Sequence, residues 1–124
     1  MAEATAGNDE KIAQTRRPTI LVVDDDPSIV NAIEMALQNK DFEYLSAYSG
    51  EEALEKFEEY NVDIVITDIK MPEMDGIELL KTIKEKSPQT CVITMTAYAS
   101  VDSAVEAMKE GAADYIRKPL EVKD

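Results

Sequence analysis

The sequence predicts an α/β domain built on a doubly wound, five-stranded parallel sheet. Two observations carry this. Short apolar runs alternate with helical stripes five times between Thr19 and Arg117, the pattern of strands joined by helical crossovers. The run from Val62 to Thr67 is rich in β-branched residues and lacks polar alternation, as in a strand covered on both faces. That run ends on Asp68, and Pro72 and Gly76 then break the chain before the next helix.

The first strand is Thr19 to Val23, followed by Asp24-Asp25-Asp26-Pro27. Asp26 before Pro27 suits a helix N-cap with proline in the first turn. That leaves Asp24 and Asp25 unexplained, as carboxylates that repel unless a cation offsets them. A helix from Ser28 to about Asn39 carries Ile29, Ile33, Ala36 and Leu37 inward. Phe42 to Tyr48 is the second strand, and Ser49 with Glu52 has the spacing of a capping box. Ala53, Leu54 and Phe57 form the stripe of the next helix, and Glu51, Glu52, Glu55, Glu58 and Glu59 a solvated face. After the central strand, Ile77 to Lys86 is helical, stopped by Ser87-Pro88. Thr90 to Thr96 is the fourth strand. The last helix places Ala104, Val105, Met108 and Ala112 inward and ends at Gly111, and Ala113 to Arg117 is the fifth strand.

In this topology the ends of the first, third, fourth and fifth strands share one rim. Asp24, Asp25, Asp68, Thr96 and Lys118 therefore meet where open α/β sheets bind ligands. Taken singly, each has a plain structural reading: Asp68 as a loop cap, Thr96 as a β-former, Lys118 as a solvated charge, Tyr115 as packing. Together they are a hard oxygen site. Three carboxylates suit Mg2+, with calcium as the alternative, although no Asp-rich calcium loop is present. A carboxylate beside a metal, a lysine and a hydroxyl can accept a phosphoryl group.

Composition narrows the field. Of 124 residues, 13 are basic and 26 acidic, a net charge of −13, which disfavours nucleic-acid binding by this segment. Histidine is absent, excluding a histidine base, a Ser-His-Asp triad and the usual zinc sites. The single Cys91 precludes an internal disulfide and reads as a small buried hydrophobe. No signal peptide or membrane span is evident, so the cytoplasm is the expected location. Met1 to Arg17 is polar and reads as a disordered tail or an appended leader, in which Ile12 has some capacity to dock.

Four blocks then carry a resemblance: Ile20 to Ile29, Asp63 to Gly76, Thr94 to Ala99, and Gly111 to Pro119. In this order they resemble the receiver domain of a two-component response regulator, here residues 18–124. From Thr96 to Leu120 the chain is most similar to receivers attached to enhancer-binding transcription activators. The resemblance implies a flavodoxin-like sheet of order 2-1-3-4-5. It implies that Asp68 accepts a phosphoryl group from a sensor histidine kinase or a small acyl phosphate. It implies that Mg2+ is held by Asp25, Asp68 and the main-chain carbonyl of Lys70, with Asp24 acting through water. Thr96 and Lys118 would contact the phosphoryl group, Tyr115 would be the switching aromatic, Ala97 a required small residue, and Lys118-Pro119 a cis peptide. Lys70 and Tyr98 would flank the attacking water and slow hydrolysis. Partners implied are the kinase and an effector domain or a second copy, with a transcriptional output and no membrane contact. The protein would be no enzyme beyond its own phosphorylation and dephosphorylation. One departure stands out: Glu121 to Asp124 is too short for the family's last helix, so the sheet face beside the first helix is expected to be open or otherwise filled.

Overall fold

A computed structural model describes residues 17–38, 41–96 and 101–118, with the side chains of residues 101 and 102 left out. Expectations placed on the tail with Ile12, on Ala97 and Tyr98, on Pro119 and on the C-terminal segment lie outside the described residues.

The elements run β1 (Thr19–Val23), α1 (Pro27–Leu37), β2 (Glu43–Ala47), α2 (Gly50–Glu59), β3 (Ile64–Asp68), α3 (Gly76–Lys86), β4 (Cys91–Thr96), α4 (Val101–Lys109) and β5 (Asp114–Arg117). All strand pairs are parallel, in the order β2-β1-β3-β4-β5. Arg17, assigned to the tail from sequence, is tied to the sheet: its guanidinium meets Glu43 at 3.1 Å.

Local chemistry sets the helix ends. Asp26 accepts from the Ser28 amide at 3.0 Å and from its hydroxyl at 2.8 Å, capping α1. Ser49 accepts from the Glu52 amide at 3.0 Å. Glu52 returns the bond to the Tyr48 amide at 2.8 Å, one residue earlier than a standard capping box. Asp75 caps α3 by accepting from the Glu78 amide at 2.9 Å. Gly111 ends the α4 segment at φ 107°, the left-handed geometry that glycine adopts without a Cβ penalty.

The two sheet faces differ. On one, Leu21, Val23, Val65 and Val92 pack with Ala53, Leu79, Leu80, Ile83 and Ala107, all buried, so α2, α3 and α4 seal that side. On the other, Ile20, Val22 and Met95 pack with Val30 and Ile33 of α1, while Ile64, Ile66 and Ile116 are only partly buried. Among the described residues α1 alone covers this face. Cys91, on the same side by alternation, is half-buried, not enclosed as expected.

The facing of α4 corrects the sequence reading. Val105 and Met108 were expected inward but are 46% and 49% exposed, whereas Ala107 is fully buried. Ala104, Val105 and Met108 make one apolar stripe, and Ser103 and Ala107 a second, smaller one. The helix approaches its neighbours through the small residues, which permit close packing.

Candidate functional site

The carboxyl-terminal rim gathers side chains from the ends of four strands. β1 stops at Val23, and Asp24 follows, its amide donating to the Ala47 carbonyl at 3.1 Å. β3 ends on Asp68 itself, and the next amide, Ile69, donates to Met95 at 2.9 Å. β4 ends on Thr96, whose carbonyl accepts from the Lys118 amide at 2.8 Å just past β5. Main-chain hydrogen bonds thus fix where Asp24, Asp68, Thr96 and Lys118 leave the sheet.

Asp24 and Thr96 are buried and Asp68 is 4% exposed, whereas Asp25 is exposed. The carboxylates of Asp24, Asp25 and Asp68 offer oxygens that all lie within 4.8 Å of one another. That spacing, with oxygen donors alone, fits one small hard cation. Lys118 Nζ lies 2.6 Å from Asp24 Oδ2 and 3.3 Å from Asp68 Oδ1. The other oxygen of Asp24 accepts from the Asp26 amide at 2.9 Å.

Burial pushes the pKa of Asp68 up, and the neighbouring charge of Asp24 adds to it; Lys118 opposes the shift without cancelling it. For Lys118 burial works against the charged form, but the hydrogen bond to Asp24 and the charges of Asp68 and Asp24 outweigh it, so its pKa is raised. Asp26 is held below its usual range by its bonds to Ser28. Asp24 and Asp68 therefore share the Lys118 ammonium, which lies closer to Asp24 and leaves Asp68 the less compensated of the two.

The rest of the predicted set is placed as follows. Lys70 is exposed, two residues beyond Asp68, where its backbone turns away from the strand. Tyr115 is half-buried on β5, its ring against the larger core cluster and its hydroxyl 3.0 Å from Ser103 Oγ. Two features escaped the sequence reading. A Cβ on Gly76 would lie 2.1 Å from the Asp68 carbonyl oxygen, so only glycine lets α3 begin directly behind the end of β3. A Cβ on Gly50 would lie 2.8 Å from the Met74 sulfur, so the loop after Asp68 seats its thioether on the start of α2. The Asp75-Gly76 pair is a turn signal, but nothing in it says which backbone atom the glycine faces.

Residues 20–124 match the response regulator receiver domain family. The transcriptional regulatory protein ZraR of Klebsiella oxytoca is 51% identical over 102 residues, 82% of this chain and 23% of that protein. The DNA-binding transcriptional regulator NtrC of Escherichia coli is 41% identical over 107 residues, 86% of this chain and 23% of its own length. The chain thus spans about a quarter of these relatives. Among solved structures, a response regulator receiver domain protein of Clostridium thermocellum superposes with a TM-score of 0.79 at 41% identity, covering 85% of both chains. The beryllofluoride-activated NtrC4 receiver domain dimer gives 0.79 at 36% identity, covering 84% of this chain and 86% of that one. Among the described residues no helix is long and apolar enough to cross a membrane.

Proposed function

The chain belongs to the response regulator receiver domain family, and on that premise we propose that it is a phospho-accepting switch whose acceptor is Asp68. A carboxylate oxygen of Asp68 attacks the phosphorus of a phosphohistidine on a sensor kinase, or of a small acyl phosphate. The P–N or P–O bond to the leaving group breaks, and an acyl phosphate forms on Asp68. Lys118 would move from the carboxylates to a phosphoryl oxygen, and Thr96 would donate its hydroxyl to another. Asp25, Asp68 and the Lys70 carbonyl would hold Mg2+ directly, and Asp24 through water. The ion supplies positive charge against the phosphoryl oxygens.

The observation that carries this reading is the charge imbalance at Asp68: a buried carboxylate with two acidic neighbours within 4.8 Å and one shared lysine. Transfer of a phosphoryl group would place more negative charge there, which Lys118 would help to balance and a cation held by the carboxylates would offset. The transcriptional relatives support a transcriptional effector, and the NtrC4 receiver dimer supports self-association as the means of control. Residues 18–124 act in this reading as the receiver unit, with no direct contact to nucleic acid.

The test is intact mass after incubation with acetyl phosphate and Mg2+. The parent gains one phosphoryl group, labile to hydroxylamine, and Asp68→Asn gains none. Equal labelling of Asp68→Asn would overturn the assignment.

A further inference from the structure

We infer that Ser103 is a positioning residue for Tyr115, a latch that ties the first turn of α4 to β5 and opposes the switch. This rests on the phospho-acceptor reading above. Ser103 Oγ and the Tyr115 hydroxyl are 3.0 Å apart, part-buried, and bridge two separate elements. The larger apolar side chains of α4, Val105 and Met108, face solvent, and its inward side is made of Ser103 and the fully buried Ala107. Such small residues bury little apolar area. The Ser103–Tyr115 hydrogen bond therefore adds a directional tie to this small apolar contact.

The latch is also connected to the rim. Tyr115 pairs with Thr94 in the sheet and Thr96 with Arg117, and the Lys118 amide donates to Thr96. α4 begins at Val101, five positions beyond Thr96 in sequence. In the arrangement described, Lys118 sits on Asp24 and Asp68 and Tyr115 is held by Ser103. Turning the Tyr115 ring toward Thr96 would carry its hydroxyl away from Ser103. A bond made in only one of two arrangements shifts their equilibrium by its own free energy. Removing it favours the phosphorylated arrangement.

The experiment titrates the full chain with beryllofluoride at saturating Mg2+, followed by amide NMR, for the parent, Ser103→Ala, Ser103→Thr, Tyr115→Phe and Ser103→Ala/Tyr115→Phe. Ser103→Ala and Tyr115→Phe each bind about fivefold more tightly than the parent. Ser103→Thr, which keeps the hydroxyl, stays near the parent, and the double variant gains no more than either single one. A merely structural bond would lower Tm in the variants and leave the titration unmoved, and that result overturns the latch. So would two single effects that multiply in the double variant. Parent chain that binds no beryllofluoride would overturn the phospho-acceptor reading along with the latch. Parent that binds, with Ser103→Ala titrating identically, overturns the latch alone.

Discussion

Asp63 and Asp68 stand at opposite ends of β3, and the fold treats them in opposite ways. Before the strand, Asp63 Oδ2 accepts from the Thr19 amide at 2.8 Å, its own amide donates to the Thr19 carbonyl at 2.9 Å, and its carbonyl accepts from Cys91 at 3.2 Å. Nearby, Lys84 Nζ donates to the carbonyls of Pro88 at 3.0 Å and Thr90 at 2.6 Å. This end is laced by main-chain groups that belong to the fold. At the other end, Asp68 meets two further carboxylates and a lysine that lies closer to Asp24. A carboxylate answered by backbone amides is part of the scaffold. One left with a charge deficit waits for something from outside, at a cost in stability.

The comparison is broken most severely through the backbone behind Asp68. Gly76→Ala must displace the Asp68 carbonyl and is expected to cost about 3 kcal/mol in urea unfolding. A loss below about 1 kcal/mol would mean that the loop yields easily and does not fix Asp68.

Cation binding sharpens the contrast next. Mg2+ at 100 times its dissociation constant is expected to add about 2.7 kcal/mol of stability. Asp25→Ala removes more of this gain than Asp24→Ala if Asp25 ligates directly and Asp24 through water. Asp63→Ala leaves the gain intact. Equal losses from Asp24→Ala and Asp25→Ala, read from Tm with and without Mg2+, would undo the ordering.

The two aspartates also predict opposite signs without metal. Asp63→Ala strands the Thr19 amide and loses about 1–2 kcal/mol. Asp68→Asn is expected to raise Tm by about 3 °C near neutral pH. The sign follows from the raised pKa of Asp68: its stabilising contribution is full below the ordinary carboxylate range and is lost as pH rises through the raised value. The advantage of Asp68→Asn therefore shrinks on acidification. Thermal melts from acid to neutral pH check this, and a variant less stable than the parent at neutral pH would contradict it.

Much of this arrangement was legible in the sequence. Strand periodicity and crossover handedness put Asp24, Asp25, Asp68, Thr96 and Lys118 at one rim, because those rules depend only on pattern and chirality. The facing of α4 was not legible, since two apolar stripes compete there and tertiary packing chose the one with Ala107. Full burial of β3 on both faces also failed in part: Ile64 and Ile66 lie on the side where, among the described residues, only α1 packs. The role of Gly76 and the Ser103–Tyr115 bond depend on atoms brought together from separate elements, and no local pattern encodes them.

The imbalance at the rim is expected to make Asp68, and not its acidic neighbours, the nucleophile. Borohydride reduction of chain labelled with acetyl phosphate and Mg2+ converts an aspartyl phosphate to homoserine, and peptide mapping then finds its position. Homoserine is expected at position 68 alone; homoserine at position 24 or 25 would show that a neighbouring carboxylate is the nucleophile instead.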